Sequence, residues 1–288
     1  MIESLESRKL LTVGIAFDAA TGVLRVKSTG YTSDIVTTTN VDAQHFKLSV
    51  NGREQTYRWR SVTLLKINTS DGPDLIDFRG LKVRTLVDAG KQGDTVYGGR
   101  RADSIFGNGG ADILNGNEDN DALEGGLRDD SMYGGVGDDT LIPFSDPIGD
   151  DSLFGNEGVD TVDYSTETKN LVLQINTNGN EPEEIVTDDI FGDVEVIKCG
   201  TGNDNVASFL STNISILGGA GNDTLTGGNG DDFIDGGTGT DRLYGGSGND
   251  RFVLGALDNV ADVVDGGIGT DSIVDSATDA LDLISNLP

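Results

Sequence analysis

From Ala89 the chain divides into consecutive blocks of nine residues that keep one register. AGKQGDTVY, GGRRADSIF, GNGGADILN, GNEDNDALE, GGLRDDSMY and GGVGDDTLI run without a break to Ile142. Pro143, Phe144 and Ser145 interrupt, and DPIGDDSLF and GNEGVDTVD continue to Asp163. The sixth position of these blocks is Asp94, Asp103, Asp112, Asp121, Asp130, Asp139, Asp151 and Asp160. The eighth is Val96, Ile105, Leu114, Leu123, Met132, Leu141, Leu153 and Val162. The register returns with CGTGNDNVA at Cys199, and GGAGNDTLT, GGNGDDFID, GGTGTDRLY and GGSGNDRFV follow one another from Gly218 to Val253. LDNVADVVD and GGIGTDSIV complete this second run, whose sixth positions are Asp204, Asp223, Asp232, Asp241, Asp250, Asp262 and Asp271. A degenerate earlier copy, SDGPDLID, sets Asp74 two residues before Ile76.

Each block splits into a six-residue turn rich in Gly and Asp and a three-residue strand. Alternation along the strand sends the eighth side chain inward and its neighbours outward. One apolar residue per strand makes no core alone, so the strands must stack into a two-sided solenoid in which two blocks form one coil. Turns two blocks apart then lie over one another, and so do their aspartates.

That stacking has an electrostatic consequence. The chain carries 20 Lys and Arg against 49 Asp and Glu, a formal charge of −29. So acidic a chain excludes the basic footprint of a nucleic-acid binder, and no apolar run reaches the length of a spanning helix. Disorder shares this charge balance, but 42 Gly and only 5 Pro in a fixed period are turn chemistry. Aspartates aligned at every level repel unless a cation lies between them. Calcium takes six to eight oxygens at about 2.3–2.6 Å, which two carboxylates and the turn carbonyls can supply. The expected pairs are Asp94/Asp112, Asp112/Asp130 and Asp130/Asp151 on one edge of the first run, and Asp103/Asp121, Asp121/Asp139 and Asp139/Asp160 on the other. The second run offers Asp204/Asp223, Asp223/Asp241, Asp241/Asp262, Asp232/Asp250 and Asp250/Asp271. The carbonyls of Gly219, Gly221, Gly228, Gly230, Gly237, Gly239, Gly246 and Gly248 are the main-chain candidates. In the first run Gln92, Arg101, Asp119 and Arg128 replace the fourth-position Gly. A left-handed φ there costs a non-Gly residue about 1 kcal/mol or more, and Arg101 and Arg128 bring cations that pair with Asp in place of calcium.

The pattern resembles GGxGxDxUx, the nonapeptide of the RTX (repeats-in-toxin) family, a calcium-binding β-helix repeat. The resemblance implies an all-β chain folded as a right-handed parallel β-roll, multiple bound Ca2+ ions with the sixth-position Asp as ligand, and an extracellular or cell-surface location for a secreted bacterial protein. LESRKLL at Leu5–Leu11 resembles the LEPR-XLL motif of exported bacterial proteins, with Ser7 where that motif has Pro. RTX proteins commonly leave the cell by an uncleaved C-terminal signal, and the ending DALDLISNLP is compatible with one.

Four regions follow. Residues 1–68 read as a small antiparallel β-unit capping the roll, with Thr21-Gly22 and Asn51-Gly52 as hairpin turns. Residues 69–163 are the first calcium-binding roll, 164–198 a β-hairpin or excursion with strands at Leu171–Asn176 and Val194–Ile197 and the acidic run Glu181 to Glu184, and 199–288 the second roll with a C-terminal cap. Phe209 to Leu217 keeps the period without its Asp.

Signs of catalysis are absent from the motifs. His45 is the single histidine, and no HExxH, GxSxG, phosphate-loop or EF-hand pattern occurs. Glu167, Glu183 and Glu195 are the candidates for a glycoside-cleaving carboxylate pair outside the repeats, but the chain is expected not to be an enzyme. Trp59 reads as core of the N-terminal unit and Cys199 as a packed small residue. The expected function is calcium binding with calcium-dependent folding. Homotypic assembly into calcium-stabilised fibres or arrays, or attachment to a cell surface, is the structural alternative.

Overall fold

Sixteen small strands' worth of apolar residues would be a poor core if they were dispersed; the fold lines them up. In the computed structural model, which describes residues 14–28, 33–143, 149–175, 188–255, 261–274 and 282–287, every eighth-position side chain from Val96 to Val162 is fully buried. Val206, Ile216, Leu225, Ile234, Leu243, Phe252 and Val264 continue the same column. Burying each contributes roughly 1.5–3 kcal/mol, and only stacking gives each a partner above and below. The result is an all-β solenoid of about ten coils. Among the described residues there is no α-helix, only a single 3-10 turn at Trp59–Ser61.

One face of the solenoid is a continuous sheet of thirteen strands that passes through both repeat runs. From Val23–Lys27 onward its strands pair in parallel, in register: Ile105 lies beside Leu123, Leu141 beside Val162, Ile216 beside Ile234. The opposite face is two sheets, of nine and six strands. The break falls at the segment between the runs. Val172–Ile175 pairs with Asn205–Ser208 and opens the six-stranded sheet, while Asp189–Ile190 pairs with Ser152–Glu157 and closes the nine-stranded one. These two strands are not a hairpin; each is a rung of its own, and Val196–Lys198 returns the chain to the continuous face. The acidic run Glu181 to Glu184 lies outside the described residues, as do Leu5–Leu11 and much of the C-terminal segment.

At the N-terminal end the strands run antiparallel. Gly14–Asp18 pairs with Val23–Lys27, and Ile35–Asn40, His45–Val50 and Arg53–Arg58 form a meander. Asn51 and Gly52, at φ 50° and 77°, make its tight turn, as an Asn-Gly pair favours. These strands then pair in parallel with Leu64–Asn68 and Leu75–Asp77, so each face of the solenoid starts on a strand that covers its open edge. Phe46 and Phe78 fill the core beneath them.

Candidate metal centre

The sixth-position aspartates sit at the strand entrances, one residue before the outward side chain and two before the buried one. All fifteen are at most 4% exposed. Their burial follows from the stack: the turn of the next coil covers each carboxylate. The backbone N–H of one Asp donates to Oδ1 of the Asp one coil further on, in every pair expected from the spacing. The distances are 2.7, 2.8 and 2.9 Å for Asp94/Asp112, Asp112/Asp130 and Asp130/Asp151, and 2.6, 2.7 and 2.8 Å for Asp103/Asp121, Asp121/Asp139 and Asp139/Asp160. In the second run they are 2.7, 2.8 and 2.9 Å for Asp204/Asp223, Asp223/Asp241 and Asp241/Asp262, and 2.9 Å for both Asp232/Asp250 and Asp250/Asp271.

These bonds use only one oxygen of each carboxylate. In Asp94, Asp112, Asp121, Asp139, Asp160, Asp223, Asp232, Asp250 and Asp271 the other oxygen, Oδ2, is buried and accepts no hydrogen bond. In all of these but Asp94, whose block begins with Ala89, it faces the first-position Gly of its own block, where a Cβ would collide with it. At Gly218 that Cβ would lie 2.6 Å from both Asp223 Oδ2 and the carbonyl oxygen of Gly236. The same convergence of a carboxylate and a main-chain oxygen recurs at Gly116, Gly134 and Gly245. The carbonyls of Gly219, Gly221, Gly228, Gly230, Gly237, Gly246 and Gly248 lie against a glycine one coil further on, where a Cβ would collide with each of them. The turn above Gly239 lies outside the described residues.

A buried anionic oxygen without a partner is costly, and the carboxyls respond. Burial, opposed by the backbone N–H bonds and reinforced by neighbouring aspartates, pushes Asp94 and Asp121 up to about 8. Asp223 and Asp232 rise to about 7 for the same reasons. Asp112, Asp139 and Asp160 rise to about 6. A proton or a cation relieves such a group, and at neutral pH a cation does so without breaking the Oδ1 ladder. Among the described residues no cage of three or more His, Cys, Asp or Glu side chains forms. The donors are one or two carboxylates and several carbonyls, all hard oxygens, which suits calcium and not the softer transition metals.

Two carboxylates in the ladders find other partners. Asp103 Oδ2 accepts the N–H of Gly99 at 2.7 Å. Its turn contains Arg101, and neither Gly99 nor Arg101 has a positive φ. Arg101 is exposed and makes no ion pair among the described residues; the expected Arg101–Asp pair is not formed, Asp103 Oδ2 being held by the Gly99 N–H instead. At the junction between the runs, Asp188 Oδ2 accepts the hydroxyl of the fully buried Tyr164 at 2.6 Å.

Asp188 belongs to a set the repeat spacing did not reveal. Asp34 heads one ladder, bonding Asp74, and Asp188 ends it by accepting the N–H of Asp151. Glu195 Oε2 accepts the N–H of Asp160 at 2.8 Å, and Asp282 Oδ1 that of Asp262 at 3.2 Å. All four precede an apolar residue by two positions, as in Asp34-Ile35-Val36 and Glu195-Val196-Ile197. This acid-x-apolar remnant survives where the glycines have been lost.

A second ladder runs at position five. Asn203 Oδ1 accepts the N–H of Asn222, and Asn222 Oδ1 that of Thr240, at 2.7 and 2.8 Å. Asn213, Asp231 and Asn249 do the same on the other edge. Here side chains reach toward the next coil's backbone; at position six the backbone reaches toward the next coil's side chain.

Apart from Glu195, the remaining candidates lie away from these ladders. His45 Nδ1 lies 2.9 Å from the Asp42 carboxylate on an exposed turn. Glu167 is buried, Glu195 is engaged by Asp160, and Glu183 lies outside the described residues. Cys199 is buried, which raises its thiol well above the usual range.

No match is found among curated proteins. The family model for the RTX calcium-binding nonapeptide repeat matches the chain in four copies, at residues 88–123, 115–142, 148–166 and 216–256. Those segments hold the sixth-position aspartates from Asp94 to Asp160 and from Asp223 to Asp250, and in them the chain carries the RTX calcium-binding nonapeptide repeat.

Proposed function

We propose that the chain is a calcium-responsive solenoid that works outside the cytoplasm, folding fully only when calcium occupies the turns. The observation that carries this reading is the row of buried, unbonded Oδ2 atoms repeated coil after coil. The sixth-position aspartates would hold the ions together with turn carbonyls, and calcium would supply the charge that those stacked carboxylates lack. Without it the folded state confines like charges in a dry edge. Since the ions bind the stacked form, their binding free energy is folding free energy. Free calcium is scarce in cytosol and near millimolar outside, the affinity range of extracellular modules; the chain would remain loose before export and set afterwards. Neither the geometry of the ladders nor the engagement of Glu195 by Asp160 favours a catalytic role.

Titration calorimetry and anomalous scattering on the full chain test the proposal by counting ions. Asp223→Asn keeps the oxygen that accepts the Asp204 N–H but removes the charge, so it should lower the count and weaken the neighbouring sites. In chelator the same change should be neutral or stabilising, because it deletes a buried charge. A chain that takes up no calcium at millimolar concentration, or an Asp223→Asn variant with an unchanged count, would sink this reading.

A further inference from the structure

The charge of the chain is not evenly spread. Residues 1–101 hold 15 Lys and Arg against 11 Asp and Glu, a net +4, while residues 102–288 hold 5 against 38, a net −33. The surplus cations gather. Arg58, Arg60 and Lys82 line a cleft of about 490 Å³ at the N-terminal unit, with Trp59, Gln44 and Ser61. No carboxylate lines it. Asp42, next in sequence to the lining residue Ala43, is occupied: it accepts the N–H groups of Gln44 and His45 and lies 2.9 Å from His45 Nδ1. Arg58, Arg60 and Lys82 are exposed, and among the described residues none of them makes an ion pair. In a chain with 49 acids this is a conspicuous arrangement, since any flexible cation nearby has carboxylates to choose from.

The floor of the cleft is rigid. The Trp59 ring packs on Phe46 with centroids 4.7 Å apart, its backbone N–H donates to Gln44 O at 2.9 Å, and its indole is only partly buried. A partly buried indole flanked by guanidinium, ammonium, amide and hydroxyl donors matches one ligand chemistry: a sugar ring, whose apolar face lies on the aromatic, carrying an acidic group. The volume lies within the range of small-molecule sites, about 300–1,000 Å³. Lys82 also borders a neighbouring groove with Arg84, Arg101 and one carboxylate, Asp119, which leaves room and a cation excess for a second sugar unit.

We infer that this cleft binds an acidic polysaccharide, through carboxylated sugar units seated on Trp59 and clamped by Arg58, Arg60 and Lys82. The acidic half of a second copy is a poorer fit. Its sixth-position aspartates are buried, and Asn203, Asn222 and Asp231 at the fifth position are tied across the turns, which withholds those side chains from a cleft. The inference concerns a different surface from the calcium ladders and stands apart from the function proposed above.

Trp59 is the single tryptophan, so its emission reports this cleft alone. The full chain, with free calcium buffered at saturation, is titrated with tetragalacturonate and with its carboxyl-reduced, neutral counterpart. A saturable change in emission is expected with the acid and none with the neutral sugar. The Arg60→Gln/Lys82→Gln double variant should weaken binding at least tenfold. Both side chains are exposed, and unchanged circular dichroism in calcium checks that the variant folds. Three results would overturn the inference: equal response to acid and neutral sugar, unchanged affinity in the double variant, or tighter binding of a single-stranded DNA of matched charge. An emission change on raising protein concentration alone would also overturn it, by pointing to a second copy as the occupant.

Discussion

Turns with glycine at the fourth position and turns without it solve the same problem differently. Gly221, Gly230, Gly239 and Gly248 in the second run have φ between 133° and 149°, and Gly110, Gly137 and Gly158 in the first have 140° to 152°. Side chains almost never occupy that region. Where the sequence has Gln92, Asp119 or Arg128, the turn moves to φ 71°, 76° and 85°, the left-handed well that L-residues tolerate at a cost. Arg101 leaves the positive region altogether, and its coil satisfies Asp103 Oδ2 with a backbone N–H. The first run also lacks fifth-position amides in its opening turns, where Gly93, Ala102 and Ala111 stand. So the second run is regular and depends on its ladders, whereas the first is patched, turn by turn, onto an N-terminal unit that adds Phe46, Leu48 and Phe78 to the shared core.

Removing calcium should expose that difference most strongly. At a hundredfold excess over Kd each ion stabilises the folded form by about 2.7 kcal/mol, and a few such sites equal the whole stability of a typical domain, about 5–15 kcal/mol. Hydrogen exchange in EGTA should show protection lost across residues 199–271, while residues 33–105, built on Phe46, Phe78 and the Asp103–Gly99 bond, keep much of theirs. Uniform loss along the chain would erase the distinction between the two runs.

Acidity offers a second lever with a defined sign. The aspartates at about 6 to 8 lie above their unfolded value, so the metal-free folded chain binds more protons than the unfolded one. Their contribution is fully present below pH about 4 and lost as pH rises through 6 to 8. In chelator, the melting temperature should therefore fall from pH 5 to pH 8. In calcium the order should reverse, because protons compete with the ion for the same carboxylates. Parallel melting curves with and without calcium check this, and curves that trend the same way would contradict it.

Much of this architecture was legible in the chain because the period fixes both the buried column and the aspartate stacking; each named pair lies one coil apart, joined by a backbone N–H bond that the spacing did not announce. What stayed hidden is physical in origin. Asp34, Asp188, Glu195 and Asp282 had lost the glycines that mark the register, yet the coil geometry needs only an acceptor two residues before an apolar strand residue. The break in one face between Val172–Ile175 and Asp189–Ile190 depends on which sheet each short strand joins, and local pattern carries no such information. The orientation of Arg101 depends on a φ that the sequence leaves open.

Exchanging residues at position four tests the conformational split directly. Gly248→Ala forces a Cβ into the carbonyl of Gly230 at φ 135°, and should cost about 2–4 kcal/mol with loss of the adjacent site. Asp119→Gly relieves a left-handed non-glycine residue and should be neutral or stabilising by up to about 1 kcal/mol. Denaturant titrations in calcium measure both. Equal costs would mean that the fourth position is indifferent to backbone conformation.

The smallest effect separates the two ladders. Asn222→Ala removes one hydrogen bond, to the N–H of Thr240, in an exposed part of the turn. Such a bond contributes about 1 kcal/mol, which in a domain of this size is a shift in Tm of about 2–4 °C. The Asp223 ladder beside it should still load calcium, so calorimetry should find the same ion count and affinity as in the parent chain. Fifth-position amides would then be fasteners that hold successive turns at the spacing the ions need, and sixth-position carboxylates the groups that sense them. A drop in ion count on Asn222→Ala would merge the two roles, and with them the reason that the second run keeps Asn where the opening turns of the first do without it.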